Sequence, residues 1–153
     1  MFEAERQRLA PLLEGVEIHH FGSTAVPGFA AKPVIDMIAL VPDLDAPIAS
    51  LVSEAGYQFP RAFNATLAHR RFLCYPSAAY RTHHLHLVDD QEELERRLRF
   101  RDRLRADSVL AAEYLALKRA LAARFPDDRE AYTDAKSEFI RQHDQPGPGG
   151  AVP

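Results

Sequence analysis

The chain has 153 residues, of which 46% are apolar and 27% charged, and its formal net charge is −3 at pH 7. This composition is typical of one globular domain, and the negative charge argues against bulk binding to nucleic acid or to an anionic membrane. No apolar run reaches the roughly 18 residues of a membrane span, the first residues do not resemble a signal peptide, and a single cysteine cannot form an internal disulfide, so we expect a cytoplasmic protein.

The first third of the chain predicts one helix and two strands around a glycine turn. Residues 3–13 favour a short helix that Pro11 weakens. Residues 16–21 alternate with a period of two, which predicts a strand, and the sequence Gly-Ser-Thr follows at once at positions 22–24. Residues 33–41 form a nearly continuous apolar run, which predicts a buried central strand.

The middle of the chain predicts one helix and three more strands. Asp45 has the position of an N-cap for a helix over residues 46–55. Residues 57–63, 70–75 and 83–88 favour strands, with Asn64 as the turn residue between the first two.

The last third predicts helices. Asp90 is placed to cap a helix over residues 91–105, and Asp107 to cap a second helix that runs to residue 125. The second helix has Val109, Leu110, Tyr114, Leu117 and Leu121 on one side. A third helix is expected over residues 128–141, and a disordered tail over 145–153. Strands followed by helices predict one α+β domain over residues 1–144, a mixed sheet with a helical C-terminal portion.

Asp36 is an acidic residue inside the apolar run, where burial is costly unless the carboxylate is paired or bound to a metal. Pairing with Lys32 or an arginine, or capping of a turn, is one explanation. In the other, the backbone and hydroxyls of the Gly22-Ser23 turn hold a phosphate. Asp36 then binds Mg²⁺ against that phosphate, and Lys32 adds a positive charge.

Two histidines, His84 and His86, share one face of a predicted strand because they are two residues apart. If that strand neighbours the strand of Asp36, two imidazoles and a carboxylate converge, a donor set that suits Zn²⁺ or Mn²⁺ better than Mg²⁺. The alternative is one hydrogen-bonded core histidine and one solvent-facing histidine.

Several basic residues are further candidates for binding an anion. Arg70, Arg71 and Arg81 can clamp a phosphate, although charged residues at a strand edge also deter aggregation, an explanation at least as good for one of Arg70 and Arg71. A weaker candidate is an anion-binding wall on the late helices, and the alternative there is a solvated face with ion pairs. Its members are Arg101, Arg105 and Lys118. Lys118 and Lys136 each follow a tyrosine by four residues, a spacing that favours helix packing over a lysine in the cleft.

Residues 20–36, HFGSTAVPGFAAKPVID, closely resemble the signature of the uncharacterised GrpB family, also called UPF0157. The resemblance continues through RTHHLH at 81–86, FRDRLR at 100–105, YLALK at 114–118 and YTDAK at 132–136. It covers residues 2–141, nearly the whole chain.

GrpB proteins are similar to the nucleotidyltransferase-like superfamily, and this resemblance implies a mixed sheet with a Gly-Ser turn and metal-binding acids. Together with the residue patterns above, it leads us to expect a nucleotide or phosphorylated small molecule held by Gly22, Ser23, Thr24, Lys32, Arg71 and Arg81. We also expect a divalent metal, Mg²⁺ or Mn²⁺, on Asp36, His84 and His86, with Asp36 and His86 as the catalytic residues. The superfamily pattern has a second acid where this chain has Ile38. A non-catalytic ligand-binding domain and a structural partner domain therefore remain as alternatives.

Overall fold

The computed structural model describes residues 2–26 and 34–143, which fold into a four-stranded mixed sheet with helices on both faces. The strands are β1 (Ile18–Phe21), β2 (Ile35–Leu40), β3 (Arg70–Pro76) and β4 (Arg81–Val88). Their spatial order is β1-β2-β4-β3, in which β2 and β4 are parallel and the two outer pairs are antiparallel. The predicted α+β class and the mixed sheet are confirmed.

The helices surround this sheet in two groups, three before β4 and three after it. The first group is α1 (Phe2–Leu9), α2 (Ile48–Ser53) and the short α3 (Arg61–Asn64), and the second is α4 (Gln91–Ala106), α5 (Ser108–Arg124) and α6 (Arg129–His143). Short 3-10 helices cover Ala10–Leu12 and Ser23–Ala25. Within the described part of the chain, no helix has the length and apolar content needed to cross a membrane.

One face of the sheet carries the main hydrophobic core. Met37, Ala39, Leu85 and Leu87 point to this face and are fully buried. They pack against α1, α2 and the segment that follows α2, whose buried contributors are Leu9, Leu51, Ala55 and Tyr57. Alternate side chains of β2 and β4 therefore point to this face of the sheet.

The opposite face is covered in part by α4. Ile38 and Val88 are buried there against Leu94 of α4. Farther along, α4 packs with α5 and α6 around Phe100 and Tyr114. Because both faces of β2 are covered, its sequence is apolar at almost every position, which explains the continuous run that predicted a central strand.

The strand predicted over residues 57–63 is wrong. Tyr57 is fully buried, Gln58 makes only an isolated bridge with Cys74, and Pro60 leads into α3. Proline has no backbone N–H for a strand ladder, and its fixed φ suits the start of a helix. Cys74 is a buried free thiol.

Asn64, predicted as the turn residue between two strands, is instead the last residue of α3, and its side chain is buried. Its Nδ2 donates to Pro60 O at 2.8 Å and to Phe72 O at 2.9 Å. Its Oδ1 accepts from Phe72 N at 2.8 Å. The side chain therefore fastens α3 to β3.

Two predicted N-caps are confirmed and one is wrong. Asp90 accepts from Glu92 N, and Asp107 accepts from Val109 N and Leu110 N. Asp45 does not cap α2, which begins at Ile48 without a side-chain cap; its carboxylate pairs with Arg71 instead. Val109, predicted for the buried side of α5, is 67% exposed. The predicted tail at 145–153 lies outside the described residues.

Candidate metal and anion site

The register of the two parallel strands brings a carboxylate and two imidazoles together. Asp36 of β2 is the direct partner of His84 of β4, and His86 follows two residues later on the same face. The convergence that the sequence predicts for these side chains is therefore found in the structure. One donor atom from each of the three lies within 4.8 Å of the others.

The distances within this cluster match those between ligands of one metal ion. His84 Nδ1 lies 3.0 Å from Asp36 Oδ1 and His86 Nε2 lies 3.8 Å from it. Two ligands of a tetrahedral zinc ion, each roughly 2.0 to 2.1 Å from it, are about 3.3 Å apart. His84 Nε2 and His86 Nδ1 are buried without a hydrogen-bond partner. These nitrogens are on the opposite side of each ring from the ones that face Asp36 Oδ1, so they do not mark the position of an ion beside that oxygen.

The electrostatics of the cluster favour the protonation states that bind a metal. Burial alone would raise the pKa of Asp36, but hydrogen bonds from His84 and His86 lower it well below its usual range. Burial lowers the pKa of His86 to about 4, against the opposing effect of Asp36. At pH 7 the carboxylate is therefore charged and the His86 ring neutral, which are the forms that ligate metals.

Aromatic rings close the cluster from two sides. Phe72 of β3 lies 5.0 Å from the His84 ring and 5.3 Å from the His86 ring, centroid to centroid. Phe21 of β1 meets the His86 ring edge-on at 5.3 Å. These apolar neighbours partly shield the donor atoms from water. Electrostatic interactions are stronger in such a shielded site than in water.

Gly22 follows β1 and lies directly against the cluster. Its φ is +76°, and a Cβ built on it would lie 2.7 Å from Asp36 Oδ2. Both the left-handed backbone and the lack of space therefore require glycine. This confirms the predicted proximity of the glycine turn to Asp36.

Thr24 lies in the 3-10 helix after Gly22 and is engaged within the protein. Its Oγ1 is 2.9 Å from His20 Nε2, and the His20 ring stacks on Phe2 at 4.8 Å. The backbone of Ser23 belongs to the same 3-10 helix. Lys32 lies outside the described residues.

The anion-binding wall predicted on the late helices has another role. Arg101 Nη1 donates to His20 O at 3.0 Å, and Arg105 Nε donates to Ala25 O at 2.7 Å. These two side chains fasten α4 to the ends of the glycine turn. Lys118 lies over the Tyr114 ring at 5.6 Å. The three residues therefore do not form the shared wall that their spacing suggests.

The arginines predicted to clamp a phosphate divide between the two faces of the sheet. Arg71 precedes Phe72 on β3, so its side chain lies on the face of the sheet opposite Asp36. There it pairs with Asp45 at 2.9 Å. The structure thus does not bring Arg71 to the cluster. Arg81 lies over the Phe72 ring at 5.5 Å and so borders the site. Arg70 shares the face of Phe72 and His86.

Two further cations, Arg97 and Lys136, were not predicted from the sequence as part of this cluster. Arg97 of α4 and Arg70 both act to lower the pKa of His86. Burial lowers the pKa of Lys136 of α6, the charges of Lys118 and Arg97 add to this, and Asp36 opposes it. Lys136 is thus near Asp36, although the spacing of the helix favoured a packing role. The sequence signal for Arg97 is the surplus of basic over acidic residues in α4, whereas α6 has as many acidic as basic residues and gives no such signal for Lys136.

A family model described as GrpB protein matches residues 1–145. UPF0157 protein YqkA of Bacillus subtilis is 38% identical over 145 residues, which are 92% of this chain and 41% of that protein. UPF0157 protein PA4798 of Pseudomonas aeruginosa is 44% identical over 147 residues, 90% of this chain and 58% of that protein. The chain thus spans about half the length of these two curated relatives. The crystal structure of conserved protein GrpB from Enterococcus faecalis matches with a TM-score of 0.72 and 31% identity, covering 94% of this chain and 93% of that one.

Proposed function

The chain belongs to the GrpB family, and we propose that it binds a divalent metal ion through Asp36, His84 and His86 and, on that metal, a nucleotide or another phosphorylated small molecule. The observation that carries this proposal is the set of three donor atoms within 4.8 Å of one another. Two imidazoles and one carboxylate favour Zn²⁺ or Mn²⁺ over Mg²⁺, which prefers oxygen ligands.

Three protein ligands leave coordination positions for a ligand oxygen, as in metal sites that work on substrates. Gly22 supports the proposal because its missing side chain lets the backbone of the turn lie directly against the Asp36 carboxylate. A bound ion supplies Lewis-acid polarisation of a phosphate oxygen. The protein lowers the pKa of both Asp36 and His86, so that Asp36 is charged and His86 neutral at pH 7.

Ile38 bears on which reaction this site supports. It occupies the position of the superfamily's second acid, and it is buried against Val88 and Leu94 of α4. A two-metal phosphoryl transfer needs carboxylates for both ions, so one metal is proposed here. The same residue favours the second candidate function, a domain that binds a phosphorylated ligand without turning it over.

Isothermal titration of Zn²⁺ and Mn²⁺ into the metal-free protein tests the proposal. We expect one ion per chain, and a loss of more than about tenfold in affinity for Asp36→Asn, since even the loss of a hydrogen-bond partner of a ligand has that effect. His69→Gln is the matched control, because the His69 side chain is 81% exposed and lies outside the cluster.

A thermal-shift series extends the test to the ligand. A nucleoside triphosphate should raise the melting temperature of wild type in the presence of metal, by linkage between binding and folding, and should do so less in Asp36→Asn. Metal affinity equal in wild type and Asp36→Asn would overturn the proposed site. A ligand shift that is equal with and without metal would overturn the bridging role of the metal. Product formed from the nucleotide separates an enzyme from a binding domain.

A further inference from the structure

An exposed aromatic ring lies at the border of the metal cluster. Phe63, in the one-turn helix α3, is 46% exposed, and its ring meets the Phe72 ring edge-on at 5.4 Å between centroids. The Phe72 ring in turn contacts the rings of His84 and His86 at 5.0 Å and 5.3 Å. The Phe63 ring is therefore separated from the cluster by the width of one aromatic side chain.

Of these two phenylalanine rings, Phe63 is the one that a ligand can reach. Phe72 is only 6% exposed, and the Arg81 guanidinium lies over its ring at 5.5 Å. An edge-to-face contact covers at most one face of a ring, so Phe72 leaves at least one face of Phe63 uncovered.

The residue after Phe63 holds the ring in place. Asn64 is the one buried residue of α3, and its side chain makes two hydrogen bonds to the backbone of Phe72 and one to Pro60 O. The helix is thus fastened to the strand on which the Phe63 ring packs. An aromatic ring that is already held in position loses little conformational freedom when a ligand stacks on it.

We propose that Phe63 is the platform on which the planar base of a nucleotide stacks, while the phosphate of that nucleotide reaches the metal of the Asp36 cluster. This inference rests on the proposed function and narrows its ligand from a phosphorylated small molecule to a nucleotide. Every base has a π face that stacks on an aromatic side chain. The net charge of −3 argues against a nucleic-acid polymer, so the occupant is a mononucleotide.

Two ligands that differ only in the base test the platform. Adenosine monophosphate and ribose 5-phosphate are titrated by calorimetry into the protein loaded with one equivalent of Zn²⁺. We expect wild type to bind adenosine monophosphate about tenfold more tightly, which lies within the range for stacking of one base on one aromatic side chain.

Phe63→Leu keeps an apolar side chain against Phe72 but removes the π face. The variant should lose the preference for adenosine monophosphate, while its affinities for ribose 5-phosphate and for zinc should equal those of wild type. Val52→Ala is the control, because Val52 is also exposed but lies on α2, which packs on the opposite face of the sheet. It should keep the preference.

Phe63→Trp provides a second measurement. The chain contains no tryptophan, so the emission of this variant reports on position 63 alone. The larger indole ring should preserve the stacking. Adenosine monophosphate should therefore quench the emission, and ribose 5-phosphate should leave it unchanged.

The outcomes separate this inference from the proposed function. Equal affinities of wild type for the two ligands overturn the platform and leave the metal and phosphate site standing, and so does a preference that persists in Phe63→Leu. Emission of Phe63→Trp that adenosine monophosphate does not change also overturns the platform. If wild type binds zinc but neither ligand, the platform and the proposed phosphate ligand both fail. If wild type binds no zinc, the proposed metal site fails, and the same titrations without metal decide the platform.

Discussion

Replacing Gly22 with alanine should damage the metal site and the stability of the fold together. The substitution places a side chain at φ +76°, which costs about 1 to 2 kcal/mol for a residue other than glycine. The new Cβ also meets Asp36 Oδ2 at 2.7 Å, Asp36 Cβ at 3.1 Å and Asp36 Cγ at 3.3 Å. The carboxylate must therefore rotate away from His84, and the loss of that charge-assisted hydrogen bond adds about 1.5 to 3 kcal/mol. We expect Gly22→Ala to lose about 3 kcal/mol of unfolding free energy.

Gly15 provides the control that isolates the contact with Asp36. Its φ is +75°, nearly that of Gly22, but a Cβ built on it meets no atom within 4 Å. Gly15→Ala should therefore lose only the conformational part, about 1 to 2 kcal/mol. Urea unfolding of the metal-free proteins measures both losses, and zinc titration measures the site.

The two variants should differ most clearly in zinc affinity. Gly22→Ala should bind zinc more than about tenfold more weakly than wild type, since one ligand has moved, and Gly15→Ala should bind it normally. Equal stabilities for the two variants, together with zinc affinities equal to that of wild type, would refute the contact between Gly22 and the carboxylate as the structure has it.

Three further predictions concern the rest of the fold. Asn64→Ala should lose about 2 to 4 kcal/mol in urea unfolding, because it leaves the N–H and C=O groups of Phe72 without their partner; a loss below 1 kcal/mol would show that the clamp is not formed. Burial alone would raise the pKa of Glu5, but hydrogen bonds from Arg8 and a tyrosine hydroxyl lower it overall, so its contribution to stability is present above the ordinary pKa and is lost as pH falls below about 4.5. Glu5→Gln should accordingly lose less stability than wild type between pH 5 and pH 3, and parallel curves would contradict this. Asp107→Ala should cost about 1 kcal/mol by removing an N-cap, and an unchanged unfolding midpoint would show that the cap is dispensable.

The sequence predicted the cluster because the two-residue period of a strand determines which side chains share a face. His84 and His86 must share a face wherever their strand lies, and an acid in an apolar run needs partners close by. The pairing of Asp36 with His84 also depends on β2 and β4 being parallel neighbours in one particular register. The glycine turn was predicted from Gly22 and Ser23 following a strand, and the family resemblance runs through the same residues.

Other features depend on tertiary contacts that periodicity does not report. Which of Arg70 and Arg71 faces the cluster follows from the pairing of β3 with β4. The direction of Lys136 depends on the rotation of α6, which packs through Phe139 on Tyr114. The segment after Tyr57 has apolar residues that suit a strand. Tyr57 is instead buried in the core, and Pro60 begins the short helix α3.

The attachment of α4 to the glycine turn has a consequence for how this segment can change through evolution. The acceptors of Arg101 and Arg105 are main-chain oxygens, of His20 and Ala25, which every amino acid provides. Neither bond therefore depends on the side chain at position 20 or 25, whereas Gly22 is fixed by its backbone geometry and Ala25 by its burial. An alignment of variants selected for folding alone should keep arginine at positions 101 and 105.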